Sequence, residues 1–163
     1  MGSWLKPILL FVFILSTQFS FAQNARSEAA QKAKDDKKLQ EYFTRHNIQP
    51  VKASGIYYTI TKEGTGRRIL AGQTVTLNYT GRFPDGKAFD SNTDPAFHHA
   101  EPFKVEIGTG KVIKGWDRGV QLLQKGSKAT LYLPSGMAYG PEGGPVPPNA
   151  ILIFDVEVLD VTK

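Results

Sequence analysis

The chain has 163 residues, enough for one domain and a small appendage, and carries 20 Lys and Arg against 15 Asp and Glu, a formal net charge of +5. It contains no cysteine, which excludes a disulfide-stapled scaffold and a lipid anchor attached through a cysteine, so stability must come from a buried core. The charge is spread out, six basic against four acidic residues over 23 to 48 and thirteen against eleven over 49 to 163, so no basic stripe is available to neutralise phosphates and no nucleic-acid partner is expected.

Residues 1–22 read as a signal peptide. Lys6 supplies the positive start, Ile8 to Leu15 an apolar run, and Ser20-Phe21-Ala22 the small residues at the cleavage positions, with Gln23 as the expected mature N-terminus. The run is too short for a stable membrane anchor, so membrane contact is expected only in transit. With no KDEL-like ending at Val161-Thr162-Lys163, the bacterial periplasm is favoured over an endoplasmic reticulum lumen.

Residues 23–48 form an N-terminal extension. From Ser27 to about Asn47 the sequence is rich in Ala, Lys, Asp, Glu and Gln and free of Gly and Pro, which predicts a helix. Leu39, Tyr42 and Phe43 give it a short apolar stripe near its end, too small for a coiled coil. Two readings follow: a spacer whose last turn packs on the domain, leaving a monomer, or an arm for dimerisation or client contact.

Pro50 and Ser54-Gly55 mark the boundary of the domain, residues 49–163, where the apolar period changes from helical to two. Residues 56–62, 73–80, 103–107, 128–133 and 151–159 read as strands, with Leu152, Phe154, Val156 and Val158 facing a core and Asp155 and Glu157 facing out. Asp85-Gly86 is a turn signal. Ile113, Trp116, Val120 and Leu123 recur at spacings of three and four, which predicts one short helix, with Gly126 beyond it. The expected fold is α+β: an antiparallel sheet of about five strands wrapped around one short helix.

The chemistry-bearing residues are mostly aromatic and β-branched: Tyr79, Phe89-Asp90, Phe103, Val112-Ile113-Lys114-Gly115-Trp116, Ala138-Tyr139-Gly140 and Phe154. Together they can build an apolar cup with few polar groups at its rim, suited to holding a substrate in an unusual shape. Singly, each would be ordinary core. Adjacent His98 and His99 point differently, with no third His near, and read as a surface loop rather than a metal site. The Gly108-Thr109-Gly110-Lys111 stretch lacks the spacing of a phosphate loop, and no G-x-S-x-G elbow is present, so neither a metal nor a cofactor is expected.

In order and context, Tyr79-Thr80-Gly81, Asp85 to Ser91, Val112 to Asp117, Ala138-Tyr139-Gly140, Pro147 to Ala150 and Leu152 to Glu157 resemble the FKBP-type peptidyl-prolyl cis-trans isomerases over roughly residues 55 to 160. The resemblance implies a half-open twisted sheet curled over a helix and an activity that speeds rotation about X-Pro bonds in unfolded or partly folded polypeptides, with macrolides as inhibitors. It implies Trp116 as the floor of the cup, with Tyr79, Phe89, Val112, Ile113 and Phe154 as walls and Phe103 at the side. The Tyr139 hydroxyl and the Ile113 N–H would hold peptide carbonyls, Asp90 would sit against the twisting amide, and Val146 would be a flap contact. Two departures stand out: residues 92–101 are longer than usual and lack the Arg often beside the Asp, and the 141–146 loop is shorter. A non-catalytic chaperone or binding module that keeps the cup is the alternative reading.

Overall fold

The structure is a computed structural model that describes residues 5–163, with side chains from residue 23 onward. The signal-peptide expectation concerns residues 1–22 and falls outside the residues described with side chains. Helix α1 spans Leu5–Arg45 and ends in an Asn47 of left-handed backbone, φ 52°. There Ile48 N–H donates to Phe43 O at 2.9 Å and Asn47 N–H to Thr44 O at 3.3 Å, the paired bonds that close a helix whose last carbonyls would otherwise be unmet. Ile48 and Phe43 share an apolar cluster, which fixes the direction in which the chain leaves.

Seven strands follow: β1 (Val51–Ala53), β2 (Ile56–Lys62), β3 (Thr74–Arg82), β4 (Ala88–Ser91), β5 (Phe103–Glu106), β6 (Lys128–Leu133) and β7 (Leu152–Thr162). All pair antiparallel in the order β1-β2-β6-β7-β3-β4, with β5 also on β3. The five expected strands are present within a residue or two at most ends, apart from β7, which runs three residues further. The two additional ones are short. β1 turns back onto β2 through Ser54-Gly55, and β4 carries Phe89 and Asp90 along β3.

Helix α2 is also short, Lys114–Gly119, and tightens into a 3-10 turn over Val120–Leu122. The sheet curls over it. Trp116, Val120 and Leu123 meet Ile56, Leu77, Leu131, Leu133, Leu152, Phe154, Val156 and Val158 in the main core, so the expected inward face of β7 is observed, while of the expected helical stripe Trp116 lies on α2, Val120 in the 3-10 turn, and Ile113 and Leu123 flank them. Close approach is possible because position 115 has no side chain: a Cβ on Gly115 would lie 2.6 Å from Leu133 and 2.9 Å from the Met137 carbonyl oxygen.

The opposite face of the sheet is covered too. Tyr57, Tyr132 and Ile153 are register partners across β2, β6 and β7 and lie on the face that alternation assigns to solvent, yet they are buried beneath Leu39, Tyr42 and Phe43 of α1. Phe43 meets Tyr57 in a tilted pair at 5.2 Å and Tyr132 edge-on at 5.0 Å. Polar ties extend the contact: Arg82 donates to the Tyr42 hydroxyl at 3.2 Å, and the Tyr57 hydroxyl donates to Asp36 at 3.1 Å while accepting from Lys52 at 2.8 Å. The packing of α1 thus reaches beyond its last turn.

Candidate functional site

The strand alternation that buries Tyr79 and Phe154 on the inner face of β3 and β7 also sets them around the indole of Trp116. Tyr79, Phe103 and Phe154 each meet Trp116 nearly edge-on, with ring centroids at 5.1, 5.7 and 5.2 Å. These spacings lie in the range where the positive edge of one ring meets the negative face of another. Phe89 on β4 extends the wall, 5.6 Å from Phe154. Its reach depends on Gly81, where a Cβ would fall 2.6 Å from Phe89 and 2.8 Å from Phe154. Trp116 is 4% exposed, and its indole N–H has no acceptor among the described residues. A buried donor left unmade costs about 1–3 kcal/mol, so the bottom of the cup holds an unspent hydrogen bond.

Val112 and Ile113 enter the cup from the segment preceding α2, both partly buried against the core. Asp117 anchors that segment: its two carboxylate oxygens accept from Gly108 N–H at 2.9 Å and Gly110 N–H at 2.7 Å. The Ile113 carbonyl accepts from Trp116 and Asp117 N–H and begins the helix.

The polar rim centres on Asp90. Its Oδ2 accepts from the Tyr79 hydroxyl at 2.7 Å, and its Oδ1 lies 2.8 Å from His99 Nε2. Both members of the second pair are open, His99 with 47% and Asp90 with 40% of the side chain exposed. Burial, then the hydrogen bond and charge of Asp90, raise the Tyr79 phenol far above its ordinary range. Burial first and the Asp90 charge second raise Tyr139 as well, which puts the two groups within electrostatic reach. Both phenols therefore keep their protons at neutral pH and act as donors. Tyr139, 37% exposed, stands between the 3-10 turns Ser135–Met137 and Gly140–Glu142.

The structure brings together Tyr79, Phe89, Asp90, Phe103, Trp116 and Phe154 by direct contact, with Val112 and Ile113 packed on the same core. Val146 differs. It is 6% exposed and folded into the main core. Among the described residues no three His, Asp or Glu side chains gather as a metal would require.

Residues 66–159 match the family model described as FKBP-type peptidyl-prolyl cis-trans isomerase. The chain belongs to that family. It is 39% identical over 139 residues to a probable FKBP-type peptidyl-prolyl cis-trans isomerase of Haemophilus influenzae, covering 84% of this chain and 55% of the relative. It is 47% identical over 105 residues to FK506-binding protein 1 of Debaryomyces hansenii, covering 63% of this chain and 90% of the relative. Among solved structures, the crystal structure of AtFKBP13 superposes with a TM-score of 0.62 at 32% identity, over 69% of this chain and 98% of that one. The chain spans about half the length of the Haemophilus relative.

Within this FKBP site, sequence reasoning missed two residues that hold the rim in place. Asn92, buried in the longer 92–101 segment, accepts from Tyr79 N–H at 2.7 Å and donates to the Leu77 and Glu101 carbonyls at 3.1 Å. It ties the segment to the strand carrying Tyr79. His99, from the same segment, comes within 2.8 Å of Asp90, where the sequence lacks the family's Arg. A polar residue next to the rim carboxylate was the available signal for Asn92; for His99 the loop path had to be known.

Proposed function

We propose that the chain is a peptidyl-prolyl cis-trans isomerase acting on proline-containing, unfolded or partly folded polypeptides in an exported compartment. The observation that carries the reading is the ring of aromatics around Trp116, bordered on one side of its open rim by the Tyr79–Asp90–His99 hydrogen bonds.

Amide resonance sets a barrier of about 18–20 kcal/mol to rotation. At X-Pro the isomers differ by less than about 1 kcal/mol, so both are populated and exchange over tens to hundreds of seconds. Midway through rotation the nitrogen pyramidalises and the carbonyl loses conjugation. An apolar cup solvates the planar, polar ground state poorly and the twisted state comparatively well. A gain on the order of a million-fold asks for about 8 kcal/mol of such differential binding, shared between desolvation and oriented hydrogen bonds.

In this reading the proline ring rests on Trp116, between Tyr79, Phe89, Val112, Ile113 and Phe154, with Phe103 at the side. The Tyr139 hydroxyl and the Ile113 N–H hold peptide carbonyls, and Asp90, oriented by Tyr79 and His99, faces the twisting amide. Val146, the last residue of the 141–146 loop, is the flap contact, held with its side chain against the core. FK506-type macrolides would compete for the same cup. Residues 1–22 direct export and are removed after Ala22, leaving the 23–48 extension and the 49–163 domain as a periplasmic monomer; the Lys6, Ile8 to Leu15 and Ser20-Phe21-Ala22 pattern supports this.

A protease-coupled assay on X-Pro tetrapeptides tests the activity. Acceleration is expected at nanomolar to micromolar protein, and none at micromolar protein would overturn the reading in favour of a binding module without catalysis.

A further inference from the structure

Asp35 is the most deeply buried carboxylate among the described residues, at 1% exposure, and it lies in α1, outside the residues that build the cup. Its Oδ2 accepts from both donors of one residue, Ser135 N–H at 2.8 Å and Ser135 Oγ–H at 2.6 Å. Gln31, one turn earlier on α1, donates to Oδ1 at 2.8 Å. Removing a carboxylate from water is costly unless such donors compensate, and the apolar stripe of Leu39, Tyr42 and Phe43 would dock the helix without it. A charge here is therefore explained by what it holds.

What it holds is the start of the segment that presents Tyr139. Ser135 opens a 3-10 turn in which Met137 N–H donates to the Pro134 carbonyl at 2.8 Å and Ala138 N–H to the Ser135 carbonyl at 2.9 Å. Tyr139 follows directly, and beyond it the Gly140 carbonyl accepts from Asn149 N–H at 2.8 Å. The far end of the Tyr139 segment is thus tied back to its own loop, and the near end is tied to α1. Two bonds from one serine to one carboxylate oxygen permit a narrow range of positions for the turn, where a single bond would let it pivot.

We propose that Asp35 is a positioning residue for the isomerase site: through Ser135 it sets where the Tyr139 hydroxyl stands, which makes the docked half of α1 part of the working site. The proposal rests on the reading of Tyr139 as a carbonyl-holding donor.

A kinetic double-mutant cycle in the full chain tests it, with kcat/KM on an X-Pro tetrapeptide and thermal melts for each variant. Asp35→Ala is expected to lower kcat/KM about tenfold in the parent and less than about twofold in the Tyr139→Phe background, because a hydroxyl that is gone cannot be misplaced. Ser135→Ala, which removes one of the two donors and disturbs the fold less, is expected to repeat the pattern at about half the free-energy effect. Equal losses in both backgrounds would overturn the proposal and reduce Asp35 to a structural group. Tyr139→Phe with parent kcat/KM would overturn the role of the hydroxyl and the positioning role with it, whereas equal losses beside a weakened Tyr139→Phe would leave that role standing.

Discussion

Ile153 and Phe154 are adjacent on β7 and both buried, yet they belong to different kinds of chemistry. Phe154 turns inward to Trp116 and Tyr79, in a cup that stays open at its rim. Ile153 turns outward, into a second aromatic cluster that α1 covers. The ingredients are alike on both faces: tyrosines, phenylalanines, and a carboxylate accepting from a tyrosine hydroxyl, Asp90 inside and Asp36 outside. What separates a site from a core in this molecule is coverage. The outer rings were given a lid by the chain itself, and the inner ones were left to be covered by something else.

The comparison is tested hardest at Ile153. Ile153→Ala opens a cavity beneath α1 and is expected to cost about 2–5 kcal/mol by denaturant unfolding. Its kcat/KM per folded molecule should stay within about twofold; a large loss of activity at parent stability would break the division between the faces. Trp116→Leu should behave in the opposite way. Removing the floor is expected to lower kcat/KM by about 30- to 100-fold, roughly 2–3 kcal/mol of transition-state binding, while also removing the unmet indole donor. Melting temperature measured beside the kinetics should fall less than for Ile153→Ala.

His99→Ala sharpens the rim. An exposed pair is worth about 0–1 kcal/mol, and Tyr79 still holds Asp90, so kcat/KM should drop about two- to fivefold with little change in melting temperature. His99→Gln, which retains a donor, should recover part of the loss. The smallest effect concerns the outer carboxylate. Burial acts to raise Asp36, but the hydrogen bond from Lys32 and the charges of Lys52 and Lys32 outweigh it and hold the group below its ordinary 3.8. A carboxyl depressed in the folded state contributes stability that is complete above its unfolded value and is lost as pH falls through the folded one. The melting temperature of Asp36→Asn should therefore converge on that of the parent below the ordinary 3.8, with the parent the more stable above it. A constant offset across that range would deny the ion pair its role.

The inner face was legible in the sequence because its residues obey period two and period three to four: Leu152, Phe154, Val156 and Val158 on the last strand, Trp116 on α2, Val120 in the 3-10 turn that follows it and Leu123 just beyond. The aromatic walls were assigned through the family resemblance carried by their order and local context. The outer face was harder to read. Tyr57, Tyr132 and Ile153 occupy positions that alternation gives to solvent, and only their coincidence across three strands of unknown register marks them as a row. The stripe on α1 indicated a contact without naming its partner. Asp35 read as one charge in a polar helix, since nothing local distinguishes a carboxylate bonded to a serine 100 residues away. Short strands β1 and β4 likewise depend on partners rather than on their own pattern.

That separation of 100 residues bears on the order of events as the chain folds. Helix α1 precedes the sheet in sequence, and its backbone bonds are local, yet its docking surface is made of β2, β6 and β7, strands spread over the whole domain. Loop closure over such a distance gains little until the sheet exists. Docking of α1 is therefore expected after the sheet has formed, so that substitutions in its contacts should act mainly on the unfolding rate. On that order, an arm that docks after the sheet and holds the Tyr139 segment would leave the proposed site incomplete until the helix has found it.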